Sequence, residues 1–235
     1  MSDNNLSRKN FLKIAGLSSV AAMSLGGCGV NSIPPKADPG LNLGPDPRPD
    51  DFSFYLGSGD TGLFNFIYTV EQLEAAFFTK VIDNLYSNAM AEEERILTDI
   101  KQHEIAHRDF YKAFLGENAV SPVNFDFYRT DFTSRESVLE NAQIIEDTTV
   151  SMYNGVAELF DNADYIPIIL EIFSVEGRHA TAIRNLRRPD STFAIGNSII
   201  TSNGLDISNP PRNVLNVLFP VIFEKLDISE LPIPT

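Results

Sequence analysis

The chain has 235 residues, 43% of them apolar, enough to bury one sizeable core and too apolar for a disordered polymer. Eighteen Lys and Arg against 32 Asp and Glu give a net charge of -14, and with no basic cluster to offset it the balance excludes nucleic acid as a partner. The single cysteine, Cys28, excludes an internal disulfide.

Residues 1–27 read as an export signal: Arg8, Lys9 and Lys13 precede an apolar stretch from Ile14 to Leu25 that is rich in small residues and too short to span a membrane. Its end, Leu25-Gly26-Gly27-Cys28, resembles the bacterial lipobox, in which the signal is cut before a cysteine that then carries lipid. That resemblance implies a periplasm-facing protein of the bacterial cell envelope, partnered with a membrane through lipidated Cys28. Ser7-Arg8-Lys9-Asn10-Phe11-Leu12-Lys13 also resembles the twin-arginine export motif, with Lys9 where the second arginine usually sits, and so implies export in the folded state. Residues 28–61, which include Pro34-Pro35, Pro39-Gly40 and Pro45-Asp46-Pro47, have little apolar periodicity and read as a tether.

Four helical patterns follow, over roughly 62–87, 92–115, 136–161 and 165–188. Asp164 is the expected N-cap of the fourth, with Pro167 in its first turn. Arg187, Arg188 and Pro189 mark its end. The connections run short, long, short, the long one from about Gly116 to Arg135, which predicts an all-α four-helix bundle with one long crossover over 62–188. Beyond it, 189–235 reads as an irregular extension packing on the bundle, with a short helix from about Pro211 to Phe219 and an extended Leu231-Pro232-Ile233-Pro234.

The chemistry lies in the apolar stripes. On the second helix the stripe is Leu97, Ile100, Glu104, His107, Tyr111 and Phe114; on the fourth it is Ile169, Ile172, Glu176, His179, Ile183 and Leu186. The first helix carries Glu71 among Phe64, Ile67, Phe78, Val81 and Leu85, and the third carries Glu146 among Leu139, Ala142, Tyr153, Val156 and Phe160. Ionisable groups on core-facing positions are costly unless paired or metal-bound. Glu71 precedes Glu104 by 33 residues and Glu146 precedes Glu176 by 30, so two helical hairpins each bring a lone Glu level with a Glu-x-x-His. Four carboxylates and two imidazoles then converge, a thiolate-free set suited to two divalent transition ions, iron or manganese, and not to structural zinc. Glu74 is a neighbour of this set, His103 lies off the stripe as a solvated or supporting histidine, Tyr68, Tyr111 and Phe114 belong to the core, and Glu92-Glu93-Glu94 form a charged first turn.

Val70-Glu71-Gln72-Leu73-Glu74-Ala75-Ala76-Phe77-Phe78, His103-Glu104-Ile105-Ala106-His107, Glu146-Asp147 with Tyr153, and Val175-Glu176-Gly177-Arg178-His179-Ala180 together resemble the ferritin-like superfamily, in particular its exported bacterial ferritin-like domain proteins. The resemblance covers roughly 62–188. It implies Glu71 and Glu146 as terminal ligands, Glu104 and Glu176 as bridges, His107 and His179 as imidazole caps, and oxidoreductase-type chemistry: metal oxidation, peroxide removal or oxidation of a small substrate. The family often has Tyr seven residues after the first-helix Glu, where this chain has Phe78, while Tyr153 keeps the matching place in the other half. Acidic residues often precede the Glu of the Glu-x-x-His, where this chain has His103 and Val175. The absence of Cys-x-x-Cys pairs sets rubrerythrin-type relays aside, and the anchor and tether argue against a closed storage cage while leaving a homodimer open. The alternative function is a non-enzymatic envelope protein that keeps the bundle as a scaffold, with structural or no metals.

Overall fold

The computed structural model describes residues 53–189, 199–222 and 225–232; the export signal, Cys28, most of the tether and the last residues of the predicted extended end lie outside them. The described residues form a strand β1 (Ser53–Tyr55), four long helices α1 (Gly59–Asp83), α2 (Ala91–Leu115), α3 (Arg135–Ala157) and α4 (Ile166–Arg187), a short helix α5 (Pro211–Leu218) and a strand β2 (Lys225–Asp227). The four long helices make the expected bundle, α1 packing most extensively on α2 and α3 on α4, with 116–134 as the crossover. Among the described residues no helix is long and apolar enough to cross a membrane.

Three boundaries differ from the sequence pattern, each for a local reason. Helix α1 stops at Asp83, not near 87, because Asn84 turns both its backbone N–H and its side-chain amide onto the carbonyl of Lys80. Helix α3 stops at Ala157, not near 161, because the carboxylate of Asp60 accepts hydrogen bonds from the backbone N–H groups of Asp161 and Asn162 and holds them in a turn. The cap expected at Asp164 belongs to Asn162, whose side chain accepts from the Asp164 N–H and starts a 3-10 turn over Ala163–Tyr165 that leads into α4.

Helix α1 is the most deeply buried of the four long helices. Every residue from Gly62 to Ala75 is buried, so the helix has no solvated face in this stretch. The crossover provides the cover. Asn65 donates to the carbonyls of Leu56 and Asn118 and accepts from the Val120 N–H, while Gln72 accepts from the Val123 N–H. These two buried amides stitch irregular backbone to a helix that could not otherwise satisfy it. Phe77 then packs edge-on against Phe127, anchoring the second half of the crossover.

The C-terminal extension grips α3. Asn209 donates from its backbone to the Ser151 carbonyl and from its side chain to the Ser151 hydroxyl, 2.9 and 3.0 Å, and the chain passes so close that only a glycine fits at position 155. Strand β2 pairs in parallel with β1, Phe54 opposite Leu226, and the Tyr55 hydroxyl donates to Glu230.

Glu93 stands in the expected charged first turn but is buried there: it accepts from the Tyr86 hydroxyl and pairs with Arg135 at 2.9 Å, because the connection after α1 and the start of α3 close over it. One assignment from the helical pattern needs correction. Phe114 is 39% exposed and not core, although its ring still packs on Phe64 at 4.7 Å and on Tyr165 at 5.8 Å.

Candidate metal centre

All six expected ligands are buried, and the bundle brings them together. They form two overlapping groups, one of Glu71, Glu104, His107 and Glu176, the other of Glu104, Glu146, Glu176 and His179, with one donor atom per residue and all donors in a group within 4.8 Å of one another. Glu104 and Glu176 belong to both groups and so stand between two positions, while Glu71 and Glu146 each belong to one.

Both imidazoles present Nδ1 to the carboxylates. His107 Nδ1 lies 2.7 Å from Glu176 and 3.5 Å from both Glu71 and Glu104; His179 Nδ1 lies 2.6 Å from Glu104, 3.4 Å from Glu176 and 3.9 Å from Glu146. None of these approaches has hydrogen-bond geometry. One oxygen of Glu71, both oxygens of Glu104, Glu146 and Glu176, and both Nδ1 atoms remain buried without a hydrogen-bond partner among the described residues. Buried polar atoms are nearly always partnered. Lone pairs that converge within a few ångströms without bonding one another fit a cation between them, and the all-oxygen and imidazole donor set fits iron or manganese.

Burial and mutual charge shift the titration of these groups in opposite directions. Burial raises the Glu71 carboxyl to about 7 despite the His107 imidazole beside it. Burial also lifts Glu146 well above the carboxylate range, against the pull of His179. Burial opposes ionisation of Glu176 too, but the two imidazoles outweigh it and hold this carboxyl below its usual value. For the histidines, burial disfavours the charged form, yet the surrounding carboxylates push His107 up to about 12 and His179 up to about 11.

The groups around the ligands are less regular. The Tyr153 hydroxyl donates to Glu71 Oε1 and lies 3.1 Å from the Tyr111 hydroxyl. Phe78, fully buried at the corresponding place in the other half, has no hydroxyl to donate, and neither oxygen of Glu146 finds a partner. His103 is exposed, as its off-stripe position predicts, but its Nδ1 lies 2.9 Å from His179 Nε2 and the rings stack at 5.1 Å. It therefore takes the orienting place in which the resemblance implied an acidic residue. On the far side of Glu146, Asp147 pairs with Arg184 and ties α3 to α4.

Glu74 exceeds its role as a mere neighbour. It is fully buried, accepts from the Thr149 hydroxyl at 2.7 Å, and is raised well above the carboxylate range by burial and by the charges of Glu104, Glu176, Glu146 and Glu71. A signal for this was present: Glu71 and Glu74 are the only charged residues between Gly62 and Thr79, and a helix apolar all round is buried all round.

A family model described as Ferritin-like domain matches residues 59–189. No curated protein matches the chain. The match spans more than half of the 235 residues and contains the whole of the bundle and all six converging side chains, so the chain belongs to the ferritin-like domain family.

Proposed function

We propose that this protein binds two divalent transition ions, iron or manganese, among Glu71, Glu104, His107, Glu146, Glu176 and His179, and carries out oxidoreductase-type chemistry in the bacterial envelope, anchored through lipidated Cys28. The observation that carries the reading is the set of buried carboxylate and imidazole atoms that converge yet lack hydrogen-bond partners.

Bound iron or manganese would supply electron transfer to oxygen or peroxide. The chain's own contributions follow from the geometry. Glu104 and Glu176, common to both groups, would be shared between the two ions; Glu71 and Glu146 would each serve one of them; His107 and His179 would each offer Nδ1. With Nδ1 of His179 committed as a lone-pair donor, its proton rests on Nε2 and is donated to His103, which fixes the ring. Tyr153 holds one oxygen of Glu71 and leaves the other facing inward. Phe64, Phe78, Tyr111 and Tyr153 are all buried in the core around Glu71, which keeps its surroundings apolar.

Elemental analysis of protein purified from its native compartment should find two iron or manganese ions per chain. His107→Ala and His179→Ala should each lower that number or the affinity, with His103→Ala a smaller loss of about tenfold or less in affinity. Protein free of transition metal, and unable to take up Fe(II) or Mn(II) in vitro, would leave the bundle as a scaffold. For the anchor, Cys28→Ser should abolish lipid labelling and release the protein from the membrane fraction; wild-type protein without lipid would end that part of the proposal.

A further inference from the structure

The ligands repeat between the two halves of the bundle, and their surroundings do not. Glu71 and Glu146 are 75 positions apart, and Glu104 and Glu176, like His107 and His179, are 72 apart. The same offsets place Phe78 opposite Tyr153, Tyr111 opposite Ile183, and His103 opposite Val175. Glu74 corresponds to Thr149, and these two bond each other, so they add to neither half. We infer that the two half-sites are unequal and fill in order: the Glu71–His107 half holds its ion more tightly, and the Glu146–His179 half holds the exchangeable one. This rests on the dimetal reading above.

The difference lies in how each terminal carboxylate is held. Glu71 is gripped at Oε1 by a buried phenol, itself within 3.1 Å of a second buried phenol, and presents Oε2 toward His107. It meets an ion already placed. Glu146, although fully buried, has no hydrogen bond at either oxygen and has a phenylalanine where the other half has a phenol. Its Oε2 lies 3.9 Å from His179 Nδ1, against 3.5 Å between Glu71 Oε2 and His107 Nδ1, so no hydrogen bond orients it toward an ion. Groups that orient a ligand change metal affinity by about 10–100-fold. His103 works in the opposite sense by holding His179, but it is exposed and water competes for its hydrogen bond, whereas the Tyr153 bond is sealed in the core.

The test is calorimetric titration of metal-free protein with Mn(II), accompanied by Mn(II) electron paramagnetic resonance and by circular dichroism to confirm that each variant remains helical. Wild type should show two steps separated by at least about tenfold, with an uncoupled mononuclear signal at one equivalent that gives way to a coupled pair at two. Charge repulsion between ions can also separate the steps, so the variants decide. Tyr153→Phe should weaken the first step by about tenfold or more and leave the second nearly in place; Phe78→Tyr should strengthen the second and leave the first. His107→Ala should retain only the weak step and His179→Ala only the tight one. Two ions bound with both steps shifted alike by Tyr153→Phe and by Phe78→Tyr would overturn the order of filling while leaving the dimetal site intact. Failure of wild type to bind Mn(II) at all would overturn both.

Discussion

Chelation at neutral pH is expected to lower the melting temperature by about 10 °C or more, and added Fe(II) or Mn(II) to restore it. An ion present at a hundred times its dissociation constant stabilises the folded state by about 2.7 kcal/mol, and each kcal/mol moves the midpoint of a domain of this size by about 2–4 °C. Two ions bound only by the folded protein therefore give a shift well above measurement error. The shift should also grow with pH. Glu71, raised from 4.5 to about 7 in the metal-free fold, contributes stability that is complete below pH 4.5 and is lost as pH rises through 7. His107 and His179, raised from 6.5 to about 12 and about 11, contribute stability that is complete below pH 6.5 and fades above it. All three effects make the chelated protein weaker as pH climbs, while metal binding, which displaces those protons, becomes stronger. The gap between chelated and loaded melting curves should thus widen from pH 5.5 to 8. Replacing Glu104 and Glu176 together by Gln should leave a helical protein whose curve no longer responds to metal. A wild-type curve unmoved by chelator and by metal at every pH would count against an occupied centre.

Replacing Gly155 by Ala should cost about 3 kcal/mol, an effect at the upper end of overpacking substitutions. A β-carbon there would lie 1.9 Å from the carbonyl oxygen of Asn209 and 2.4 Å from its carbonyl carbon. Both are backbone atoms, which cannot swing aside as a side-chain tip can. The extension must lift, and the two hydrogen bonds from Asn209 to Ser151 go with it, each worth about 1 kcal/mol. Urea unfolding should show the lower midpoint, and limited proteolysis should show new cleavage between 199 and 222. A midpoint within about 0.5 kcal/mol of wild type, the range of an ordinary surface change, would mean that this segment is not seated on α3.

The six converging side chains were legible because each rests on a local rule. Helical periodicity puts Glu104 and His107, or Glu176 and His179, on a core face, and equal distances on either side of a short turn bring Glu71 and Glu146 level with them. Where a residue's surroundings come from distant chain, the same rules fall short. The periodicity of α1 suggested one buried stripe, but Asn65 and Gln72 recruit the crossover and bury the other faces too. The charged first turn was legible in Glu92-Glu93-Glu94, but the burial of Glu93 under Tyr86 and Arg135 was not. Gly155 gave no sign of its constraint, since what restricts it is Asn209, 54 positions later. The orienting role of His103 was half legible: its place off the stripe predicted exposure, but only the packing of α2 on α4 sets it against His179.

The parallel pairing of β1 with β2 bears on the order in which the molecule is assembled. The Tyr55–Glu230 contact joins residues 175 positions apart, so the first described strand must wait for almost the last. On a ribosome the α1–α2 hairpin can collapse as it emerges, and so can the α3–α4 hairpin, since each depends on partners close in sequence. The clasp between the ends forms only after residue 227 has been released, and pairings of such long range are the slow ones in folding. Until then neither edge of β1 is paired, and pairing with β2 closes one of the two.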